Sequence, residues 1–400
     1  MKIGIVKERK NPPDKRVVLS PVACRKVKQQ FPDVELFVEP SDIRVFPDKD
    51  YEDAGVTLTG DVSHCDVLLG VKEVPTEALI PDKKYFFFSH TIKKQPYNRK
   101  LLEAVLDRNI ELYDHEVITA PNGQRLVAFG RYAGIVGAYN GIRAYGLKTG
   151  LFTIPKAETL ADQQELIAVL RKTELPAVKI LLTGKGRVGG GAKEMLDGMG
   201  VREVLPDEYL TDNFAEPVYC QIDVLDYNKR KDGAKASAED FYKHPEAYES
   251  DFMRFARVTD LYMAGHFYGQ GAPYLFTRQD AATSGFKISV VADISCDIDG
   301  PVASTIRAST IADPVYGYDR VTGEETDYRK EGAIAVMAVD NLPCELPRDA
   351  SEGFGDMFMT YVIPAFFNGD QDGVLERARM TFGGKLTERF AYLRDYVAGK

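Results

Sequence analysis

The stretch Val178-Lys-Ile-Leu-Leu-Thr-Gly184-Lys-Gly186-Arg-Val-Gly189-Gly-Gly-Ala-Lys-Glu-Met-Leu196 sets the fold class of this chain. Residues 178–183 form an apolar, β-branched run of strand length, and helical spacing begins at Ala192, so the spaced glycines lie where a strand passes into a helix. Gly184 can take a tight turn, Gly186 lets the backbone approach a pyrophosphate, and Gly189 lets the helix pack close to the strand. Because the free N–H groups of such a helix face the phosphates, the stretch predicts a dinucleotide-binding turn.

The next strand candidate, residues 201–205, bears on the choice of nucleotide. It leads to Asp207, where an acidic side chain would accept hydrogen bonds from an adenosine ribose. A carboxylate at that point repels a 2′-phosphate, which favours NAD as the cofactor. Lys185, Arg187 and Arg202 are close in sequence and could balance that phosphate, so NADP stays open.

Length and charge restrict the class of protein. A chain of 400 residues exceeds the size at which one hydrophobic core keeps growing, so we expect two domains. The net charge of -9 argues against nucleic acids and anionic membranes as partners, and a small metabolite is the expected ligand. Residues 2–6 already read as a strand and no long apolar run follows, so we expect a cytoplasmic protein. No heptad pattern indicates a subunit seam, which leaves a homo-oligomer open.

The cysteines and histidines indicate neither disulfides nor a metal site. The 5 cysteines are widely spaced and contain no C-x-x-C pair, which is typical of reduced thiols. The 5 histidines show no spacing of the H-E-x-x-H kind. We therefore expect no bound metal.

The first part of the chain alternates between strand and helix patterns, which predicts a parallel α/β layer. The strands are expected at residues 2–6, 33–38, 66–71, 84–89 and 110–114, with helices at 20–31 and 97–108. Ligands of such sheets lie beyond the carboxyl ends of the strands. The side chains that follow these strands include both signs of charge and an imidazole: Glu8, Arg16, Lys72, Glu73, His90, Lys93 and Glu116.

The rest of the chain continues the α/β pattern less regularly. Residues 131–148 and 161–172 read as helices, and residues 287–294 and 333–339 as strands that end in acids. Residues 223–280 carry many aromatic side chains without a clean period, and we interpret them as a surface elaboration rather than a substrate lid. Residues 348–367 and 369–398 are expected to be helical.

Several motifs resemble one enzyme family over nearly the whole chain. They are Asp14-Lys-Arg16-Val-Val-Leu-Ser-Pro21, Gly70-Val-Lys72-Glu-Val-Pro75, Phe88-Ser-His90-Thr-Ile-Lys93-Lys-Gln95, Leu112-Tyr-Asp-His-Glu116, Arg125-Leu-Val-Ala-Phe-Gly130 and Asp340-Asn-Leu-Pro-Cys-Glu-Leu-Pro347. The chain resembles the saccharopine dehydrogenase and lysine-ketoglutarate reductase branch of the alanine dehydrogenase superfamily. The segment Ser89-His-Thr-Ile-Lys93 favours that branch, because alanine dehydrogenases lack it. Residues 242–248 and 275–280 are similar to the reductase domain of bifunctional animal and plant enzymes, whereas Lys72-Glu73 and Asp207 look like the monofunctional fungal enzyme.

The resemblance implies an α/β fold with two Rossmann-like parallel-sheet domains and a cleft between them. A discontinuous substrate domain would comprise residues 1–134 and 343–400. The NAD(P)-binding domain would comprise residues 135–342, with the elaboration at about 223–280.

The resemblance also implies roles for individual residues. Lys72 and His90 would be the catalytic pair, and which of them is base and which is acid stays open. Arg16, Lys93 and Arg131 would bind carboxylates of the substrate, and Glu73 and Glu116 would hold its ammonium group. The remaining implied contacts are Gln95 for the substrate and, for the cofactor, Gly184, Gly186, Arg187, Val188, Gly189, Asp207, Asp293, Asp297 and Leu342.

These roles predict an oxidoreductase that interconverts saccharopine with L-lysine and 2-oxoglutarate by hydride exchange with NAD or NADP. Two alternatives stay open. An alanine dehydrogenase-like enzyme would deaminate an amino acid and release ammonia. A transhydrogenase-like subunit would bind NAD and pass hydride to a partner.

Overall fold

The computed structural model describes residues 1–400 and divides them into two compact α/β units. Residues 1–129 and 347–400 form one unit, which we call the terminal unit because it contains both ends of the chain. Residues 130–346 form the other, the middle unit. The division falls a few residues from the predicted bounds, and the predicted α/β fold with two domains is confirmed.

The terminal unit is built on a six-stranded sheet in which every neighbouring pair is parallel. The strands are β1 (Lys2–Ile5), β2 (Glu35–Val38), β3 (Thr57–Leu58), β4 (Val67–Lys72), β5 (Lys84–Phe88) and β6 (Glu111–Asp114). Their order in the sheet is β3-β2-β1-β4-β5-β6. This is the doubly wound order, in which the chain reverses direction across the sheet between β1 and β4. Ligands of such sheets bind beyond the carboxyl ends of the strands at this reversal.

Three helices of this unit precede the middle unit: α1 (Pro21–Gln30), α2 (Asp48–Asp53) and α3 (Arg99–Asp107). Helix α1 begins where the sequence predicts, because the Ser20 side chain accepts a hydrogen bond from the Ala23 N–H and Pro21 occupies the first turn. Cys24 and Val27 of α1 are fully buried. The helix therefore covers the core of the unit with one face.

The middle unit carries an eight-stranded mixed sheet. Its strands are β7 (Lys179–Thr183), β8 (Arg202–Glu203), β9 (Val218–Ile222), β12 (Leu261–Ala264), β13 (Val290–Asp293), β14 (Val315–Tyr318), β15 (Glu325–Thr326) and β16 (Ile334–Met337), and a separate ribbon pairs β10 (Asn228–Arg230) with β11 (Tyr248–Ser250). The sheet order is β15-β14-β16-β13-β12-β7-β9-β8, with β14 and β15 antiparallel to their neighbours. The helices are α4 (Gly130–Thr149), α5 (Gln163–Arg171), α6 (Arg187–Met199), α7 (Pro206–Thr211), α8 (Val224–Tyr227), α9 (Ala238–Lys243), α10 (Met253–Ala256) and α11 (Arg278–Ala282).

The interpretation of residues 223–280 as a surface elaboration is wrong. The segment contains β12, which pairs with β7 on one side and with β13 on the other. Its aromatic side chains Tyr248, Phe252 and Tyr262 are buried in the main hydrophobic cluster of the middle unit. All four residues of β12 are buried on both faces, so the alternation that usually reveals a strand is missing from the sequence.

The end of the chain also departs from the expectation of helices at 348–367 and 369–398. It forms α12 (Pro347–Tyr361), α13 (Val374–Ala378), a hairpin of β17 (Thr381–Phe382) and β18 (Lys385–Leu386), and α14 (Arg394–Val397). Gly383 and Gly384 take φ values of 59° and 70°, the left-handed conformation that a two-residue hairpin turn requires. The predicted helix at 369–398 is therefore interrupted. None of the helices combines the length and the apolar character that a membrane-spanning segment needs.

Candidate active site

The carboxylate of Glu116 brings three cationic or basic side chains together at one edge of the terminal unit's sheet. Its Oε2 lies 3.5 Å from His90 Nδ1, and its Oε1 lies 3.6 Å from Lys93 Nζ and 4.0 Å from Arg125 Nη1. Burial alone would raise the pKa of Glu116, but the interactions with His90, Lys93 and Arg125 outweigh it and lower the pKa to about 2. Glu116 is therefore ionised at neutral pH and can orient an imidazole and two cations.

The buried side chain of Asp114, at the end of β6, explains why His90 and Glu116 meet. Its carboxylate accepts hydrogen bonds from the N–H of Ser89 at 2.9 Å and from the N–H of Glu116 at 2.7 Å. Ser89 also donates its hydroxyl to Asp114, so the residue after β5 is tied to the turn after β6. His90 follows with a φ of 56°, which turns the chain sharply at the strand end.

Lys72 and Glu73 lie at the end of the neighbouring strand. Lys72 is the last residue of β4 and pairs in register with Phe88 of β5, two positions before His90. Glu73 forms an ion pair with Lys10 at 2.5 Å through Oε1, while its Oε2 is buried and has no hydrogen-bond partner. A buried carboxylate oxygen without a partner is the group that a substrate ammonium could satisfy.

Arg16 is held rigidly in the loop after β1. Its Nε donates to Asp14 Oδ1 at 3.0 Å and its Nη2 to Asp14 Oδ2 at 2.7 Å, and the guanidinium lies 4.2 Å from the centre of the Phe129 ring. Burial opposes the ionisation of Asp14, but Arg16 lowers its pKa below the ordinary value. The guanidinium of Arg16 is thus fixed in orientation, as recognition of a carboxylate requires. It lies in the loop after β1, the strand at which the strand order of the sheet reverses.

Two of the predicted substrate residues have other partners in the structure. The side-chain oxygen of Gln95 accepts hydrogen bonds from Tyr97 and Asn98, and its backbone carbonyl accepts one from Tyr396 at 2.6 Å. Arg131 belongs to α4 of the middle unit, where its Nε and Nη2 donate to the carboxylate of Glu194 at 2.8 and 2.6 Å.

The group around Glu116 does not include Arg131, and the arginine found there is Arg125. Arg125 stands within one of the family motifs, but we assigned it no role from the sequence. Its position in that motif, nine residues after Glu116, was the available signal.

The glycine-rich turn of the middle unit has the geometry that a pyrophosphate needs. A Cβ at Gly189 would lie 1.9 Å from Gly184 O, and a Cβ at Gly184, whose φ is 93°, would lie 2.5 Å from Gly265 O. A Cβ added to Gly186 would meet no atom within 4 Å, so the space in front of that residue is open. Gly186 caps α6 without a side chain, which leaves the N–H groups of the first helical turn for an anion.

The acid beside this turn is Asp223 and not Asp207. Strand β8 has only two residues, lies at the edge of the sheet and pairs with β9 alone. Asp207 belongs to α7, which follows β8, and β8 is not next to β7. Strand β9 is the neighbour of β7, with Ile222 paired to Thr183. The Gly184 N–H donates to Ile222 O at 2.8 Å, and Asp223 comes next in the chain. The prediction that Asp207 follows the strand next to β7 is therefore wrong, and Asp223 holds that position.

The other predicted cofactor residues are distributed over the ends of β13 and β16. Asp293 is buried, and its carboxylate accepts hydrogen bonds from Thr305 at 2.6 Å and from the Cys296 N–H at 3.0 Å. Burial raises the pKa of Asp293 to about 6. These contacts give Asp293 a structural role in its loop.

Asp297 is half-buried, Leu342 is buried at the start of a 3₁₀ turn, and Arg187 and Val188 open α6. No three His, Cys, Asp or Glu side chains meet in an arrangement that could hold a metal ion.

The chain is similar to known proteins in sequence and in fold. Residues 4–136 match the family model for the alanine dehydrogenase/PNT N-terminal domain. An alpha-aminoadipic semialdehyde synthase from Arabidopsis thaliana is 28% identical over 98% of this chain, which spans 41% of that relative's length. A saccharopine dehydrogenase (NAD(+), L-lysine-forming) from Yarrowia lipolytica is 27% identical over 88% of this chain and 89% of its own. A solved L-alanine dehydrogenase has the same fold, with a TM-score of 0.67 at 18% identity, covering 100% of this chain and 99% of its own.

Proposed function

We propose a reaction for this chain from its similarity to the saccharopine dehydrogenases and from the match of residues 4–136 to the alanine dehydrogenase/PNT N-terminal domain model. It interconverts saccharopine with L-lysine and 2-oxoglutarate, as an oxidoreductase that uses a nicotinamide cofactor. The observation that carries the proposal is the group around Glu116. This group combines the imidazole of His90, which follows β5, with the cations of Lys93 and Arg125. The neighbouring strand β4 ends in Lys72.

Saccharopine would be oxidised at the α-carbon of its glutarate part, one of the two carbons bonded to the secondary amine, and a bound nicotinamide would supply the hydride acceptor. Lys72 takes a proton from the secondary ammonium, so that loss of hydride from the resulting amine leaves a protonated imine. His90 removes a proton from the water that adds to the imine carbon, which gives a carbinolamine. The carbinolamine hydroxyl then gives its proton to one residue of this pair as the C=O bond forms and the C–N bond breaks, the leaving amine gains a proton from the same pair, and lysine and 2-oxoglutarate are released. The two residues can also exchange these roles, because an amine and an imidazole can each accept or donate a proton.

The charges of the site fit the charges of saccharopine, which has three carboxylates and a terminal ammonium. Arg16 offers a rigid guanidinium for one carboxylate, and Lys93 and Arg125 offer cations for the others. The buried Oε2 of Glu73 would accept from the ammonium. Alanine has one carboxylate and no second ammonium, so it would leave most of these groups without a partner.

The cofactor would bind the middle unit, and its residues fit a dinucleotide. The N–H groups at Arg187, Val188 and Gly189 would hold the pyrophosphate, since Gly184 and Gly189 admit only glycine and the space before Gly186 is open. Asp223 would accept from the adenosine ribose and repel a 2′-phosphate, which favours NAD over NADP. Asp297 and Leu342 stand at the ends of the next strands and would face the nicotinamide side.

The rate of change of NADH absorbance tests the reaction. Saccharopine with NAD should produce NADH, and lysine with 2-oxoglutarate should consume it. Pyruvate with ammonium should leave the absorbance unchanged. Activity with pyruvate and ammonium alone would assign the chain to alanine dehydrogenase chemistry. Nucleotide binding without any of these activities would assign it to a transhydrogenase-like role.

A further inference from the structure

Strand β4 contains a bulge immediately before Lys72. Its pairing with β5 runs regularly to Leu69 and Phe86 and resumes at Lys72 and Phe88. Three steps along β4, from 69 to 72, therefore match two steps along β5, from 86 to 88, so β4 has one extra residue. A bulge of this kind changes which way the following side chain points and is common next to active sites.

Side chains from two other strand ends hold the peptide groups of this bulge. The carboxylate of Glu8, which follows β1, accepts the N–H of Val71 at 2.7 Å and the N–H of Lys72 at 2.9 Å. The imidazole of His115, which follows β6, bonds to the carbonyl of Gly70 at 2.9 Å through Nε2. Three polar atoms of two successive peptide groups that leave the regular ladder are thus satisfied by side chains that follow β1 and β6.

His115 is suited to act as a fixed neutral donor. It is fully buried and packs edge-on against Phe88 and Phe354, with ring centres 4.9 and 5.0 Å apart. Burial lowers the pKa of His115 to about 4, so the ring is neutral at physiological pH, and the bond to a carbonyl requires its proton on Nε2. It supports the bulge without adding a positive charge near Lys72.

Glu8 is suited to act as the opposite support. Burial, together with the nearby charge of Asp14, raises the pKa of Glu8 to about 8, whereas the hydrogen bonds from the N–H groups of Val71 and Lys72 act in the opposite direction and favour its ionised form. Gly70 lies close to the side chains of Val6 and Glu8, because a Cβ added to it would lie 3.0 Å from Val6 Cγ2 and 3.7 Å from Glu8 Oε1. The bulge is therefore closely packed as well as hydrogen-bonded.

We propose that Glu8 and His115 are positioning residues that hold the β4 bulge and thereby aim the Lys72 amine at the substrate. Neither residue needs to touch substrate or cofactor. The catalytic consequence rests on the proposed function, in which Lys72 moves a proton at the substrate amine. The structural part of the proposal, that the two side chains fix the conformation and environment of Lys72, does not depend on which reaction the protein performs.

The variants that test this are Glu8→Gln and His115→Phe, with His115→Gln as a rescue. Gln at 8 keeps the shape but turns an NH₂ group toward one of the two N–H donors, and Phe at 115 keeps a ring but removes the donor. Gln at 115 can again donate to Gly70 O. Glu39→Gln is a matched control, because Glu39 is a buried carboxylate after β2 that accepts hydrogen bonds from the Lys7 N–H at 2.8 Å and from Arg9 at 2.7 Å, and not from β4.

Two measurements on the folded full chain report on the bulge without activity. Hydrogen exchange at the amides of Val71 and Lys72 should be at least about tenfold faster in E8Q and H115F than in wild type. The pH-dependent rate at which acetic anhydride labels Lys72 Nζ, read by mass spectrometry, should also change in both. H115Q should return both values toward wild type, and E39Q should leave them unchanged.

Steady-state rates add the catalytic part. We expect kcat to fall roughly tenfold to a hundredfold in E8Q and H115F while KM changes little, with a shifted pH profile, because misplacement of a catalytic group affects the chemical step. If E8Q and H115F match E39Q in exchange, labelling and kcat, the proposal is wrong. If wild type lacks activity with saccharopine, the proposed function fails, and exchange and labelling still decide the structural proposal.

Discussion

The two units present different chemistry at the carboxyl ends of their sheets. The terminal unit lines this edge with charged side chains, and Glu116 alone lies within 4.0 Å of His90, Lys93 and Arg125. The middle unit lines it with backbone, where glycines leave room and helical N–H groups for a ligand. Both sheets are doubly wound around a first strand, so the same fold supports either kind of site. One edge therefore depends on side-chain identity and the other on the absence of side chains.

Replacing Lys72 by Met removes a functional side chain from the terminal edge and should have the largest effect. We expect kcat/KM for saccharopine to fall about a hundredfold or more, which is typical for loss of a general acid or base. Nucleotide affinity, measured by quenching of NADH fluorescence, should stay at the wild-type value. Lys84→Met is a matched control, because Lys84 lies at the opposite end of the neighbouring strand and pairs with Glu111. Equal rates in K72M and wild type would remove Lys72 from the mechanism.

Replacing Gly189 by Ala adds a side chain to the middle edge. Its Cβ would lie 1.9 Å from Gly184 O, so either the turn or α6 must move. We expect NADH affinity to fall at least about tenfold and the thermal midpoint to drop by several degrees, as for overpacking that costs about 1–3 kcal/mol. Gly190→Ala is the matched control, because no atom lies within 4 Å of its added methyl. A G189A variant that binds NADH like G190A would contradict the proposed phosphate site.

Replacing Asp223 by Asn tests the side chain of the middle unit that is expected to select NAD over NADP. Asn keeps the N-terminal cap of α8 but removes the charge that repels a 2′-phosphate. We expect the preference for NAD over NADP in kcat/KM to fall about tenfold, or roughly 1.4 kcal/mol. Asp207→Asn should leave that preference unchanged. The reverse result would return the ribose contact to Asp207.

The last expected effect is on stability and not on activity, and it concerns Glu345, a buried carboxyl of the middle unit that accepts a hydrogen bond from Asn140 at 2.8 Å. Burial raises the pKa of Glu345 from 4.5 to about 7. The folded protein therefore holds this proton more tightly than the unfolded chain does. The resulting stability is fully present below pH 4.5 and is lost as the pH rises toward 7.

The Glu345→Gln variant tests that dependence, because Gln can accept the same hydrogen bond and does not ionise. Between pH 5 and 8 the wild-type thermal midpoint should fall relative to that of E345Q, by an amount that corresponds to about 1–3 kcal/mol. Unfolding curves recorded across this range measure it. Parallel trends for the two proteins would mean that Glu345 does not change its protonation on unfolding.

The charged side chains of the terminal unit and the glycine turn of the middle unit could both be predicted from the sequence because both stand in local motifs. His90, Lys93 and Glu116 stand in local motifs that follow strong strand patterns, so their common edge could be inferred from the spacing alone. The glycine turn is local as well. Asp207 was assigned on the assumption that the next strand in sequence is the next strand in the sheet, whereas β9 separates β8 from β7.

The other features that the sequence did not predict also depend on long-range packing. Strand β12 is short and buried on both faces, so it has no period that distinguishes it from the aromatic residues around it. The support of the β4 bulge by Glu8 and His115 joins residues that are 63 and 45 positions from their partners. Nothing in the local sequence indicates contacts of that separation.

The proposed reaction is decided by the products that the purified full chain forms from saccharopine and NAD, quantified together by mass spectrometry and NADH absorbance. We predict L-lysine, 2-oxoglutarate and NADH in equal amounts, with their formation lost in K72M. NADH formed without lysine, or no turnover of saccharopine by a chain that binds NADH, would contradict the proposal.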